Sequence, residues 1–170
     1  IREAKEKGIC ITADSTPHHL ALTDECLLGY DANSKTMPPL REDLDRRAIL
    51  AGITDGTIDC VSSAHEPCQK HEKEVEFDLA PAGVIGYETA LSVVLGELRK
   101  KIKDPFPLIA RLMSFNPSRI LGLQHSIVEG KVANLFVFDP NKNWTYDVNF
   151  GKSAAKNSPY QGIEMNGSVL

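Results

Sequence analysis

What the sequence lacks narrows the field first. None of its apolar runs approaches the roughly 20 residues that a helix needs to cross a bilayer, so no membrane partner is expected. Positive charge is scarce, with 19 Lys and Arg against 23 Asp and Glu and a net charge of −4. The densest basic run, "RKKIK" from Arg99 to Lys103, closes a helical pattern. Cations suit the negative end of a helix dipole there, and a nucleic-acid partner is not expected. The four cysteines (Cys10, Cys26, Cys60, Cys68) contain no Cys-x-x-Cys pair. Cys10 and Cys60 lie in apolar strand-like runs, so buried free thiols in a reducing cytoplasm are expected rather than a disulfide framework. Neither "APAG" nor "GVIG" has the spacing of a phosphate-cradling loop. A starting methionine is lacking too. The chain opens on "IREAKEKG", inside a helical pattern that Gly8 ends, and closes on a turn and the first residues of a strand, which reads as a segment of a longer protein.

What is present is ordinary globular material, 42% hydrophobic and 25% charged, enough to bury a core. "ICITADST" (Ile9 to Thr16) is β-branched and predicts a strand, left by a loop "TPHHLALTDE". Pro38 and Pro39 bar regular structure in the turn-rich stretch that follows. "LDRRAILAGITDG" predicts a helix with Leu44, Ala48, Ile49 and Ile53 on one face and Gly56 beyond its end. "TIDCVSSA" predicts a second strand, and strand–helix–strand order implies parallel pairing. Helical runs follow in "YETALSVVLGELRKK" and "DPFPLIARLMSF", then a short helix in "NPSRILGL" with Asn116 as cap and Pro117 in its first turn. After Gly130 the pattern turns β-rich, with "KVANLFVFDP" as an alternating strand and "NWTYDV" next. Parallel βα units suit a TIM barrel or an open doubly wound sheet. In both, chemistry sits where strands end, and the loops after these two strands are long and polar.

The chemical residues in those loops leave several readings open. His18 and His19 are adjacent and point apart, so at most one aims into a cleft, the alternative being loop-packing hydrogen bonds. His65, Cys68 and His71 hint at zinc, but His-x-x-Cys falls short of the four ligands of a structural site. His125 suits a solvated cap. Asp14 and Asp59 fall on strands, where bonding to neighbouring backbone is the expectation, and Glu66 sits in a loop where it can face solvent. No paired carboxylates stand out for acid–base work, and these residues alone define a cleft rather than a reaction.

Six stretches, taken in order, resemble one family: "TADSTPHHLALTDE", "KTMPPLREDLDRRAILAGITDGTIDCVSSAHEPC", "APAGVIGYETAL", "NPSRILGL", "IVEGKVANLFVFDP" and "NSPYQGIEMNGSV". They are similar to the bacterial type I dihydroorotases of the amidohydrolase superfamily, and together they span nearly the whole chain. The resemblance implies an α/β fold: the C-terminal part of a TIM (βα)8 barrel of the metal-dependent hydrolase type over residues 1–124, and part of a small β-sandwich accessory domain over 125–170. The two strands would be the seventh and eighth of the barrel. It implies pyrimidine biosynthesis, through reversible cyclisation of N-carbamoyl-L-aspartate to dihydroorotate. Zinc in such a site is held by a His-x-His pair, a carboxylated lysine, two further histidines and an aspartate ending the eighth strand. The metal generates hydroxide at neutral pH, and that aspartate moves the proton.

This chain departs from the family pattern where the chemistry is densest. The usual "TDHAPH" is "SAHEPC", which puts Ala64 at the aspartate position and Cys68 at the last histidine. The asparagine of the usual "NPPLR" is Met37, while Gly83 of the substrate-approaching "PxG" loop is kept. By family position, Met37, Cys68 and Gly83 are the substrate-side residues. No catalytic residue and no metal ligand is expected from this segment, although zinc is expected for the family. The resemblance therefore points to a cytoplasmic dihydroorotase-like scaffold, homo-oligomeric or paired with aspartate carbamoyltransferase. The alternative is an active zinc-dependent cyclic amidohydrolase with a rearranged site.

Overall fold

The computed structural model describes residues 1–123 and 127–170; His125 and the 124/125 division lie outside the described residues. Two short parallel strands, β1 (Asp14–Ser15) and β2 (Cys60–Val61), pair Asp14 with Cys60 and Ser15 with Val61. Helix α1 (Arg2–Glu6) is tied to this ladder through Lys5, whose Nζ lies 2.7 Å from the Asp59 carboxylate. Asp59 also accepts from Ala13 N at 2.9 Å, the backbone bonding expected of it. Burial pushes the Asp59 pKa up, but the Lys5 ammonium and the Ala13 amide outweigh it and hold the carboxyl below its ordinary range. The predicted strand from Ile9 is cut back to its last residues. Ile9 and Ile11 are exposed, as is Cys10, which was expected to be buried. Ladder bonding begins only at Ala13, whose carbonyl accepts from Asp59 N.

The "TPHH" stretch forms a helix, not a loop. Thr16 Oγ1 accepts from His19 N, and Pro17 occupies the first position of α2 (Pro17–Ala21), two features that start a helix without tertiary help. Single 3-10 turns at Asp24–Leu27 and Ala32–Ser34 lead on to α3 (Asp43–Thr54). The face of α3 differs from the predicted one. Leu50, Gly52 and Ile53 are buried, while Leu44 is 76% exposed. Its first turn is given to ion pairs instead, with Asp43 bridging Arg46 and Arg47 at 2.6 Å each. Arg46 reaches on to buried Glu97 at 3.1 Å and so ties α3 to α5 (Ala90–Arg99).

Helix α4 (Lys70–Lys73) lies in the second long loop. Helix α6 (Phe106–Ala110) continues through a π turn (Arg111–Phe115) into α7 (Asn116–Ile120). Asn116 is therefore not a cap. Its backbone is helical (φ −66°, ψ −47°), and its side chain donates to Asp59 O at 2.7 Å. A proline inside a helix removes a backbone donor and crowds the preceding turn, and the wider π turn stands where Pro117 would otherwise break the run.

Leu20, Leu50, Ile53, Val61, Val94, Leu95, Leu98, Ile109 and Leu112 form one buried cluster between α2, α3, α5, α6 and the strands. Full burial of such a side chain is worth about 1.5–3 kcal/mol. The β-rich end is an antiparallel pair, β3 (Phe138–Thr145) with β4 (Glu164–Val169), its register broken between Asp139 and Asn143. The strand predicted over 131–139 is displaced: residues 131–137 are irregular, and pairing runs from Phe138 and Asp139, past the break, to Asn143–Thr145. Tyr146, Tyr160 and Met165 pack on Val93 of α5, so the two parts of the chain share core. Gly167 makes the approach possible. A Cβ there would run into Phe138 and Leu95, and its φ of +81° suits glycine alone. Its carbonyl accepts from Ser92 Oγ of α5 at 2.7 Å and from Trp144 Nε1 at 2.8 Å.

Candidate functional site

Beyond β2 the chain turns sharply. Ser62 N donates to Ser15 O, and Ser62 Oγ donates to the Asp14 carboxylate, which gives Asp14 a structural partner. Ala64 follows with φ +44°, in the left-handed region. An L-residue there costs about 1–2 kcal/mol, and a short polar side chain tolerates it better than a methyl group. From His65 the chain runs beside the 83–86 segment, with His65 bridged to Val84 in parallel and Glu66 N donating to Val84 O at 2.9 Å. Gly83 N donates in turn to Lys35 O at 2.9 Å, which brings the Lys35–Pro38 stretch alongside. The sequence-predicted positions therefore lie on three neighbouring segments: Met37 on one, Ala64 and Cys68 on the next, Gly83 on the third.

Their side chains differ in character. Gly83 has φ +142°, and a Cβ would sit 2.8 Å from both Cys68 Sγ and Glu66 O. Only glycine fits this crossing. Cys68 is buried, its Sγ 3.6 Å from Ala82 O and 3.9 Å from Glu66 O. Ala64 is half-buried, and Met37 is 71% exposed at a cis Met37–Pro38 bond. Of these side chains only the Cys68 thiol is an ordinary zinc ligand, and it is turned on backbone carbonyls, while the Ala64 methyl group offers a metal nothing. Among the described residues, no three of His, Cys, Asp and Glu gather into a set able to hold a metal ion.

The histidines have other work. His18 is 1% exposed, stacked on Tyr160 with ring centroids 5.8 Å apart, and its Nδ1 lies 3.2 Å from the Tyr160 hydroxyl. Its Nε2 is buried with no partner in hydrogen-bonding geometry among the described residues. Burial lowers its pKa from 6.5 to about 4; the Ala64 backbone opposes that fall and the neighbouring His19 adds to it. His19 bridges Thr16 Oγ1 (2.7 Å) and Pro38 O (3.0 Å), joining the "TPHH" turn to the Met37 segment. His65 lies flat on Tyr87 at 4.0 Å, and its Nδ1 accepts from Gly86 N and Tyr87 N. His71 is exposed on α4, as is Glu66 in its loop, so His65, Cys68 and His71 do not converge.

Three buried polar side chains that reading by residue type passed over hold these segments in place. Asn157, 2% exposed, accepts from Cys68 N at 3.0 Å and donates from Nδ2 to Glu66 O and Gly83 O at 2.9 Å each. Lys73, 8% exposed, donates to Ala32 O and Pro81 O, and burial lowers its pKa. Tyr160 supports His18, and burial drives its hydroxyl pKa far up. Their only signal in sequence was the position of Asn157 and Tyr160 within "NSPY". An apolar hollow of about 940 Å³ between α6 and residues 127–138 lies away from these segments.

Comparison with known proteins first defines the class. The chain superposes on an L-hydantoinase (dihydropyrimidinase) from Arthrobacter aurescens with a TM-score of 0.89 at 23% identity, covering 100% of this chain and 39% of that one. A D-hydantoinase from a Thermus species gives 0.87 at 21%, covering 99% and 39%. The fold is thus α/β and corresponds to the C-terminal part of a TIM barrel, followed by the antiparallel β3–β4 pair. In sequence the chain is 43% identical over 169 residues to a dihydroorotase from Caldanaerobacter subterraneus subsp. tengcongensis, covering 99% of this chain and 39% of that protein. A dihydroorotase from Desulforapulum autotrophicum is 39% identical over 170 residues, covering 100% and 40%. No family model matches. Over its whole length the chain matches the C-terminal segment of proteins named dihydroorotase, and it spans about two-fifths of the length of these relatives.

Proposed function

We propose that this chain is the C-terminal part of a dihydroorotase-family protein that keeps the shape of the site without its proton-transfer chemistry. It serves as a non-catalytic scaffold in pyrimidine biosynthesis, in the cytoplasm, as a homo-oligomer or in assembly with aspartate carbamoyltransferase. One observation carries the reading: Ala64 stands in the turn just beyond β2, at the position where the family pattern has its metal-binding, proton-carrying aspartate. A methyl group neither ligates zinc nor accepts the proton released as carbamoyl aspartate closes to dihydroorotate. Loss of an acid–base residue alone costs on the order of 10²–10⁴-fold in rate. Cys68 and Met37 remove two more polar groups from the substrate side, while Gly83 and the backbone contacts around it are kept.

The test uses the intact protein, assayed for bound zinc and for interconversion of carbamoyl aspartate and dihydroorotate. Turnover with stoichiometric zinc would overturn the proposal in favour of a rearranged, working site. The converse experiment is the triple variant Ala64→Asp, Cys68→His, Met37→Asn. It is expected to recover zinc or carbamoyl aspartate binding, read by calorimetry, that the parent protein lacks.

A further inference from the structure

Asn157 of the "NSPY" turn lies 74 residues beyond Gly83 and 89 beyond Cys68, yet bonds to both segments. Asn157 makes four hydrogen bonds there. Its side chain takes one from Cys68 N and gives two, to Glu66 O and Gly83 O, while its own carbonyl accepts from Ile85 N at 3.0 Å. All four partners are backbone groups of the two segments that carry Cys68 and Gly83. Only a carboxamide of this length supplies one acceptor and two donors at once: aspartate lacks the donors, leucine lacks both, and glutamine is a methylene too long. We propose that Asn157 is a positioning residue of the candidate site. It sets the spacing of the 66–68 and 83–85 segments, so the β-rich C-terminal part decides how the site segments lie against one another. Tyr160, three residues on, works in the same direction by stacking on His18 of the "TPHH" helix.

A residue serving only the core would bond to core elements. Asn157 instead joins loop to loop, all its side-chain bonds going to backbone groups of the 66–68 segment and Gly83. Its loss is therefore expected to part these segments while leaving the β1–β2 ladder intact, and two buried cysteines report the two regions separately. Cys68 lies on the first of these segments, and Cys60 sits on β2. The proposal rests on Cys68 and Gly83 being site positions, and not on whether that site turns over a substrate. Alkylation rates therefore test it independently of zinc content or activity.

The experiment is iodoacetamide labelling of the intact protein, followed residue by residue by peptide mass spectrometry, for the parent, Asn157→Asp and Asn157→Leu. The aspartate variant keeps the shape and the bond to Cys68 N, so it remains informative if the leucine variant does not fold. Stranding the carbonyls of Glu66 and Gly83 is expected to speed Cys68 labelling by about tenfold or more, with Cys60 unchanged. Acceleration of Cys60 in step with Cys68 would overturn the proposal by making Asn157 a general support of the fold. An unchanged Cys68 rate would overturn it by showing that the segments keep their spacing without it.

Discussion

His18 gives the sharpest quantitative expectation. Its imidazole is 1% exposed against Tyr160, and burial holds its pKa at about 4 against 6.5 in an unfolded chain. The unfolded state therefore takes up a proton at this residue well before the folded state does. Between pH 6.5 and about 4 the unfolded chain binds more protons, so stability falls as pH is lowered through that window and levels off below it. A tenfold change in proton binding is worth about 1.4 kcal/mol, so the whole window amounts to about 3 kcal/mol. Asp43, Asp55 and Asp59 have pKa values held below their ordinary 3.8, so most of their stabilisation is lost below this window.

The assay is urea unfolding of the intact protein at intervals from pH 7 to pH 4, beside a His18→Gln variant. The variant keeps a polar group near Tyr160 but cannot titrate. Parent and variant share every other ionisable group, so the difference between them isolates residue 18. The stability advantage of the parent is expected to shrink by about 3 kcal/mol across the range. A difference that stays constant with pH would refute the reasoning, because it would mean that folding does not suppress protonation of this ring.

Two substitutions probe the backbone around the site. Gly83→Ala is expected to cost about 2–4 kcal/mol by thermal or urea unfolding, from a Cβ forced against Cys68 Sγ and Glu66 O together with an unfavourable φ; a neutral result would mean that the two segments part easily. Ala64→Gly is expected to stabilise by about 0.5–1 kcal/mol, because relief of left-handed strain at φ +44° exceeds the entropy cost of glycine. Destabilisation there would show that the methyl group packs usefully.

Much of this fold was legible in the sequence because its signals were local. Thr57 to Cys60 and Ile11 to Asp14 carry β-branched runs on either side of an amphipathic helix, and that order alone predicts the parallel pairing of β1 with β2. What escaped was set by distant partners. Leu44 fits a helical stripe, yet faces out because the Asp43–Arg46–Glu97 ion pairs set how α3 docks. Residues 131–137 alternate like a strand, but the partner strand β4 pairs further on, from Phe138. At the site, the exchanged positions 37, 64 and 68 stood out only against the family pattern. Asn157 and Lys73 look like ordinary solvated loop residues until the backbone groups they satisfy, far away in sequence, are seen.

The contrast between backbone and side chains bears on what the site is for. A residue with positive φ is commonly glycine or a short polar residue that can bond its own backbone. Ala64 holds such a conformation with nothing in its side chain to favour it. The conformation must then be imposed by its surroundings: the Ser62 bonds to Asp14 and Ser15 on one side, and the His65 and Glu66 pairing with the 84–86 segment on the other. The same holds at Gly83, clamped by Lys35 and Asn157. A site under selection for turnover needs both the frame and the reacting groups. A site kept as a surface or a shape needs only the frame, and here the frame is over-determined while positions 37, 64 and 68 hold a thioether, a methyl group and a thiol. Such a frame can hold its shape without help from those side chains, which is the physical condition a scaffold descended from an enzyme would have to meet.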